Sequence, residues 1–414
     1  MFVRASTVAG GGRTVRVGRG YWVWLVAAVV SDLGSNVMTF GLAWVASGLG
    51  GSIAGLVATS TMLFRVLFLV VGGSLGDRFG PRTVMIVSDA AMAVVTAGVA
   101  VWFFTSDVTV GSLLALGSVL GIASAFYIPA SGVFPRLFVD ESQLPRVMAT
   151  TSSGLQVSRL TGPALGGVLI GAFGLAWVTA INTISFLVVL AVLLAVVPPR
   201  RARPESTDHL RLREALARLR AAGNHRLILG LLAALAILSA SAPPSLLLSV
   251  PLLARDKGWT SAQTGLIEAA FMTSALVVGL IVAARGAMIG PARPLIGGPI
   301  IAAVGLVIIG LAPSVVIACA GGAVIGVGSV LFAAHAMPAF LAASPPGLQT
   351  RLQALLGLSQ TLPALIFTNI YGAIAQHWSP QAALITAGGL LLTAAAVLLA
   401  NTDNRSLELP TATT

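Results

Sequence analysis

GGSLGDRFGPR, residues Gly72 to Arg82, separates two long apolar runs, Ile53–Val71 and Thr83–Phe104. Each run is long enough to cross a bilayer as a helix. The short stretch between them is dense in glycine and charge. Gly73, Gly76 and Gly80 are expected to let two helix ends and a tight turn approach closely. Asp77 and Arg78 set opposite charges at the membrane edge, and Arg82 adds a positive charge at the start of the next helix.

The composition extends this reading to the whole chain. Of 414 residues, 57% are apolar and 9% charged, and the mean hydropathy is +0.96. A soluble domain carries about 25% charged residues, so a soluble core is excluded. At roughly 30 residues per span and loop, the length accommodates about twelve helices. The net charge of +11 does not point to nucleic acid, because the basic residues are scattered through loops between apolar spans. They read instead as orientation signals. The single cysteine, Cys319, lies in an apolar run and excludes an internal disulfide or a cysteine-rich metal site.

In chain order, a basic tail (1–20) leads into helices at about 21–47, 52–75, 82–105, 109–132, 147–173 and 176–197. A polar stretch (198–226) holds eight arginines, and its segment Leu210–Arg220 has the leucine spacing of an amphipathic surface helix. Six further helices follow at about 227–254, 261–284, 294–312, 314–342, 350–375 and 380–400, then a tail (401–414). The expected architecture is all-α and polytopic, with a six-helix bundle at 21–197 and another at 227–400. All but four of the 24 basic residues fall on one face; Arg255 and Lys257 lie opposite, and Arg65 and Arg159 lie inside spans. The positive-inside rule then puts both termini and the 198–226 linker in the cytoplasm. The halves echo one another: FYIPASGVFPRL in helix 4 against LFAAHAMPAFLA in helix 10, and GDRFGPR against ARGAMIGPAR. Such repeats imply binding between two halves.

The motif Gly73-x-Leu75-x-Asp77-Arg78-x-Gly80-x-Arg82 resembles the loop between helices 2 and 3 of the major facilitator superfamily, with Pro81 where a basic residue is usual. A second string, SRLTGPALGG from Ser158 to Gly167, resembles the fifth-helix motif of the drug:proton antiporters, with Ser158 in place of the first glycine. Gly162, Pro163, Gly166 and Gly167 are expected to give a kinked helix with a smooth packing face. Together with FYIPASG (126–132), these strings look most like the macrolide- and siderophore-exporting branch. The resemblance implies two pseudo-symmetric bundles, alternating access and proton-driven export. For Asp77 it implies a part in a latch between the halves.

An ionisable residue inside a bilayer costs on the order of 2.5–3.5 kcal/mol on insertion scales, so each invites an explanation. Asp32 stands about 16 Å into helix 1, with Asn36 one turn on. Arg65 lies mid-helix 2, Asp89 two turns into helix 3, and Arg159 mid-helix 5 with Gln156 near it. Glu268 lies in helix 8 and His335 in helix 10. Asp32, Glu268 and Arg159 are candidates for proton coupling, with Arg159 pairing Asp32 in one state. Asn36, Arg65, Gln156 and His335 are candidates for the substrate cavity. Asp32 or Asp89 paired with Arg65 or Arg159 could equally hold helices together, and Glu268 could be solvated by snorkelling. No phosphate loop and no histidine ligand spacing occurs, so neither an enzyme nor a cofactor is expected. The reading is a monomeric plasma-membrane exporter whose partners are a small amphipathic molecule, protons and the lipid bilayer, with no nucleic acid. An uptake symporter, a lysolipid flippase or a non-transporting sensor or scaffold are the alternatives.

Overall fold

The computed structural model describes residues 17–199, 225–285, 292–343 and 349–401. The expected Leu210–Arg220 surface helix, most of the linker and nearly all of both tails lie outside the described residues. Four helices open the chain: α1 (Arg19–Ser47), α2 (Gly51–Phe79), α3 (Pro81–Thr105) and α4 (Val110–Val133). Two 3-10 turns, Phe134–Phe138 and Glu141–Gln143, precede the continuous run Leu144–Ala195. That run is broken at Gly174 (φ 78°, ψ 177°) into α5 (144–173) and α6 (175–195). In the second half, α7 (225–256) contains a π-helical turn at Ser245–Ser249, immediately after Pro243 and Pro244. Two successive residues without N–H groups cannot hold the regular ladder, and the wider turn absorbs the break. The chain ends with α8 (Ser261–Arg285), α9 (Ala292–Leu311), α10 (Val315–Ala343), α11 (Gln349–His377) and α12 (Pro380–Asn401).

Ten helical runs among the described residues are long and apolar enough to cross a membrane. One of them holds both α5 and α6, and α11 has the length, 29 residues, with a more polar sequence. This is a twelve-helix, polytopic, all-α architecture. The outward surface is apolar: Val26, Val94 and Val316 are 63%, 74% and 77% exposed, which suits a lipid solvent and not water.

The turn at the quoted stretch is shorter than its composition suggests. Helix α2 continues through Gly76 and Arg78 to Phe79, and α3 starts at Pro81, leaving Gly80 alone as the turn. Its φ of 81° with ψ of 148° is a region that only glycine occupies readily, and its N–H donates to Gly76 O at 3.0 Å. Pro81 pre-sets φ at the first position of α3, which is a use for the one departure from the superfamily pattern. Arg82 donates to the carbonyls of Leu193 (3.0 Å) and Leu194 (3.2 Å), capping the end of α6 with a positive charge. The side chain of Asp77 lies outside the described residues, and with it the latch reading.

Packing partners correspond between the halves. In the first, α2 packs on α4, α3 on α4 and α6, and α1 on α5 and α6. In the second, α8 packs on α10, α9 on α10 and α12, and α7 on α11 and α12. The apolar cores divide the molecule by depth. At the near end, which carries Arg19 and Asn401, each half has its own core, around Trp24 and Phe134 in one and Phe332 and Phe340 in the other. At the far end a single core runs through both, joining Val37 and Leu42 to Leu253, Ile267 and Tyr371.

Gly80→Ala and Gly174→Ala are each expected to cost about 1–3 kcal/mol, since a Cβ meets no neighbour at either site and only the backbone is strained. Gly98→Ala, on an open helical surface, is the control and should be neutral or slightly stabilising. Unfolding midpoints in detergent measure the difference.

Candidate transport cavity

Two seams hold the halves together, both toward the far end. On one, α5 crosses α8: Ser261 Oγ donates to Gly167 O at 2.7 Å. A Cβ on Gly265 would lie 3.1 Å from the Pro163 carbonyl carbon, so only glycine lets these backbones meet. On the other, α2 crosses α11: Gly51 N donates to Gln376 Oε1 at 2.8 Å, and Asn369 Nδ2 to Thr59 Oγ1 at 2.6 Å. Beside the seams Arg255, in the last turn of α7, reaches over the end of α1. Its guanidinium lies 4.2 Å from the Trp44 ring centroid and donates to Ser47 Oγ (2.8 Å) and Trp44 O (2.6 Å). A cation on the last carbonyls of a helix is favoured there, and the ring face adds a second attraction.

Below this seal lies a cavity of about 470 Å³ that runs from Ala43 and Ala54 to Pro135 and Met148 near the other end. Helices of the first half supply nearly all of its wall, joined by Leu247 and Leu248 from the π-turn of α7. Most of the lining is apolar. The polar groups that matter are Asp32, Arg65, Asp89, Tyr127 and Arg159. Asp32 Oδ2 accepts from Asn36 Nδ2 at 3.0 Å and from Ser158 Oγ, and Asn36 is held in turn on the Asp32 carbonyl at 2.7 Å. Asp89 is 2% exposed, and its Oδ2, like the Tyr127 hydroxyl, has no hydrogen-bond partner. Asp32, Asp89 and Tyr127 line the same cavity as the guanidinium-bearing Arg65 and Arg159.

The expected pairing of acid with base is not what this state contains. Asp32 is satisfied by Asn36 and Ser158 and not by Arg159, and among the described residues Asp89 makes no ion pair. The reason is written on α5, where residues four apart share a face. Gly162 and Gly166 abut Asn36 and Phe40 of α1, and Ser158 stands one turn earlier on that same face. Pro163 and Gly167 abut α8, and Arg159 stands one turn earlier on that one. The string SRLTGPALGG therefore serves two helices, not the single smooth face expected of it.

Of the other cavity candidates, Arg65 lines the wall, while Asn36 stands behind Asp32 as its orienting donor. Gln156 and His335 do not line it; His335 is 2% exposed, with Nδ1 on Leu331 O at 2.8 Å. Glu268 also lies outside the cavity, with Oε1 buried and without a hydrogen-bond partner. Arg255, Trp44, Tyr127 and Ser158 carry contacts that the sequence reading did not assign to them. Arg255 had been legible only as one of two basic residues on the far face. Among the described residues no three His, Cys, Asp or Glu side chains converge as metal ligands.

Two six-helix bundles, with a cavity sealed at one end, are the architecture of a transporter of the major facilitator class. The chain belongs to the family of transmembrane secretion effectors, whose model matches residues 16–409. This is a family of small-molecule transporters, not of enzymes. Similar proteins include the multidrug efflux pump Tap of Mycobacterium tuberculosis, 29% identical over 169 residues, covering 38% of this chain and 40% of that pump. The multidrug resistance protein MdtG of Serratia proteamaculans is 29% identical over 250 residues, covering 59% of this chain and 58% of its own. These matches span less than two thirds of either relative's length. Among solved structures, a bacterial homologue of the iron transporter ferroportin, in an inward-facing state, superposes with a TM-score of 0.76 at 15% identity, covering 92% and 98% of the two chains. A bacterial homologue of the lysosomal transporter Spinster gives 0.68 at 14% identity, covering 92% and 95%. At those identities the likeness is one of fold.

Arg255→Ala removes a stacked cation and two hydrogen bonds from the far-end seal, about 1–3 kcal/mol in all. The state open at the far end should gain about ten-fold in population. In a Cys319→Ala background, Ala43→Cys on the cavity wall reports it, through faster labelling by an impermeant thiol reagent added at the far face.

Proposed function

We propose that the protein is a secondary active exporter, which moves a small amphipathic molecule out of the cell by proton antiport with alternating access. The observation that carries this reading is the apolar cavity itself: it is closed at the far end by contacts between halves and contains a carboxylate, Asp32, held by hydrogen bonds and by no cation. A cargo enters such a cavity from the near end. The basic residues gathered on that face make it the cytoplasmic one, with both termini and residues 198–226 on the same side. The efflux pumps among the relatives favour export over uptake, and a plasma-membrane location follows from that role.

Asp32 is the coupling carboxylate in this reading. Ser158 and Asn36 tie it to α5 and hold it within α1, so binding a proton there alters a link between two helices of the cavity wall. In reconstituted vesicles with an imposed proton gradient, Asp32→Asn should lower uphill ethidium accumulation at least ten-fold while ethidium still binds. Undiminished uphill accumulation by the variant would remove Asp32 from this role. Dye movement in the same direction as protons, in the unmodified protein, would identify an uptake symporter. In intact cells, a cysteine at position 221 (Ala221→Cys, with Cys319→Ala) should resist an impermeant label, and ready labelling from outside would invert the topology.

A further inference from the structure

The α5–α8 seam runs antiparallel, and its register is fixed at two places. At the first, Gly167 meets Ser261 and Ala262, with a would-be Cβ 3.0 Å from Ala262 Cα. At the second, Gly265 meets Pro163 and Ala164, with the corresponding distance to Ala164 Cα 3.2 Å. Four residues back along α5 match four residues forward along α8, with the facing sides preserved. The next rung in that ladder lies one turn toward the near end. Continued by that step, the register would set positions 159–160 against 268–269, with Arg159 and Glu268 across the seam from one another.

Among the described residues neither Arg159 nor Glu268 has an ion-pair partner. Arg159 is exposed and lines the cavity, as does Arg65. Glu268 keeps Oε1 buried with no hydrogen-bond partner. Ser158 binds Asp32 on the α1 face of α5, and position 159 lies on the row whose later members, Pro163 and Gly167, meet α8. We propose that Glu268 is a positioning residue for transport, the counter-charge that Arg159 meets when the α5–α8 seam closes at the near end. The inference rests on the alternating-access reading. Closing brings together opposite charges that are each costly in a membrane. Opening separates them again. Arg159 and Glu268 then act together as an electrostatic clasp, which Gly167 and Gly265 keep in register.

The test needs no substrate. In the full chain with Cys319→Ala, Ser152→Cys lines the cavity and reports near-end opening by its rate of labelling from that face. Arg159→Glu or Glu268→Arg alone should raise that rate about five-fold or more, and the double exchange should restore it to within about two-fold. Failure of the double exchange to restore it overturns the clasp. Should the charge variants fold poorly, Arg159→Cys with Glu268→Cys provides a second measurement. A short bifunctional thiol reagent should join the two helices, and the joined protein should exclude a bulky maleimide from the cavity when added at the near face. Absence of that cross-link likewise overturns the proposal. A protein that forms the clasp yet moves no dye uphill would leave the pair in place and refute the exporter reading instead.

Discussion

Lipid offers no partner for a backbone N–H or C=O, so every span must satisfy its own. That constraint reaches into the smallest details of this chain. Helix α2 does not stop where glycine and charge begin at residue 72; it runs seven residues further, because the intrahelical ladder is the safest place for those groups at the membrane edge. The turn to α3 takes one residue, Gly80, and the break between α5 and α6 takes one, Gly174. Where two prolines interrupt α7, the helix widens to a π-turn and continues. Such short connections leave neighbouring helices antiparallel and close, and the bundles follow.

Within that frame the helices differ in what their faces are asked to do. On α5, one row (Ser158, Gly162, Gly166) belongs to α1 and to the interior of the first half. In the adjacent row, Pro163 and Gly167 meet the other half. The hydrogen bond to Asp32 and the contacts across the seam are therefore carried by neighbouring rows of one helix. The far-end core, shared by both halves, and the two near-end cores, each private to one half, give that element a fulcrum.

Much of the fold was legible because apolar length and loop charge are local properties: the predicted spans fall within a few residues of the helices found. The quoted turn misled for a local reason as well, since glycine and charge signal a loop in water and a helix edge in lipid. Contacts between halves were the hidden part. Arg255 meets Ser47 across 208 positions of sequence, and Asn369 meets Thr59 across 310; neither partner carries a pattern that names the other. Asp32 and Arg159 were singled out by their cost in a bilayer; in this state Asp32 is met by Asn36 and Ser158, because Ser158 and Arg159 stand on different rows of α5. His335 looked like a cavity residue for its polarity, but its Nδ1 meets the Leu331 carbonyl, one turn back along α10, and the residue is buried outside the wall.

The tie from Arg82 to the carbonyls of Leu193 and Leu194 joins two stretches that a schematic would draw apart. Residue 82 opens α3 directly after the glycine turn, and residue 194 lies just ahead of the chain that departs for the second bundle. A displacement of the end of α6 is therefore borne at the start of α3 as well. The guanidinium works as a guy-rope between two helices of the first bundle.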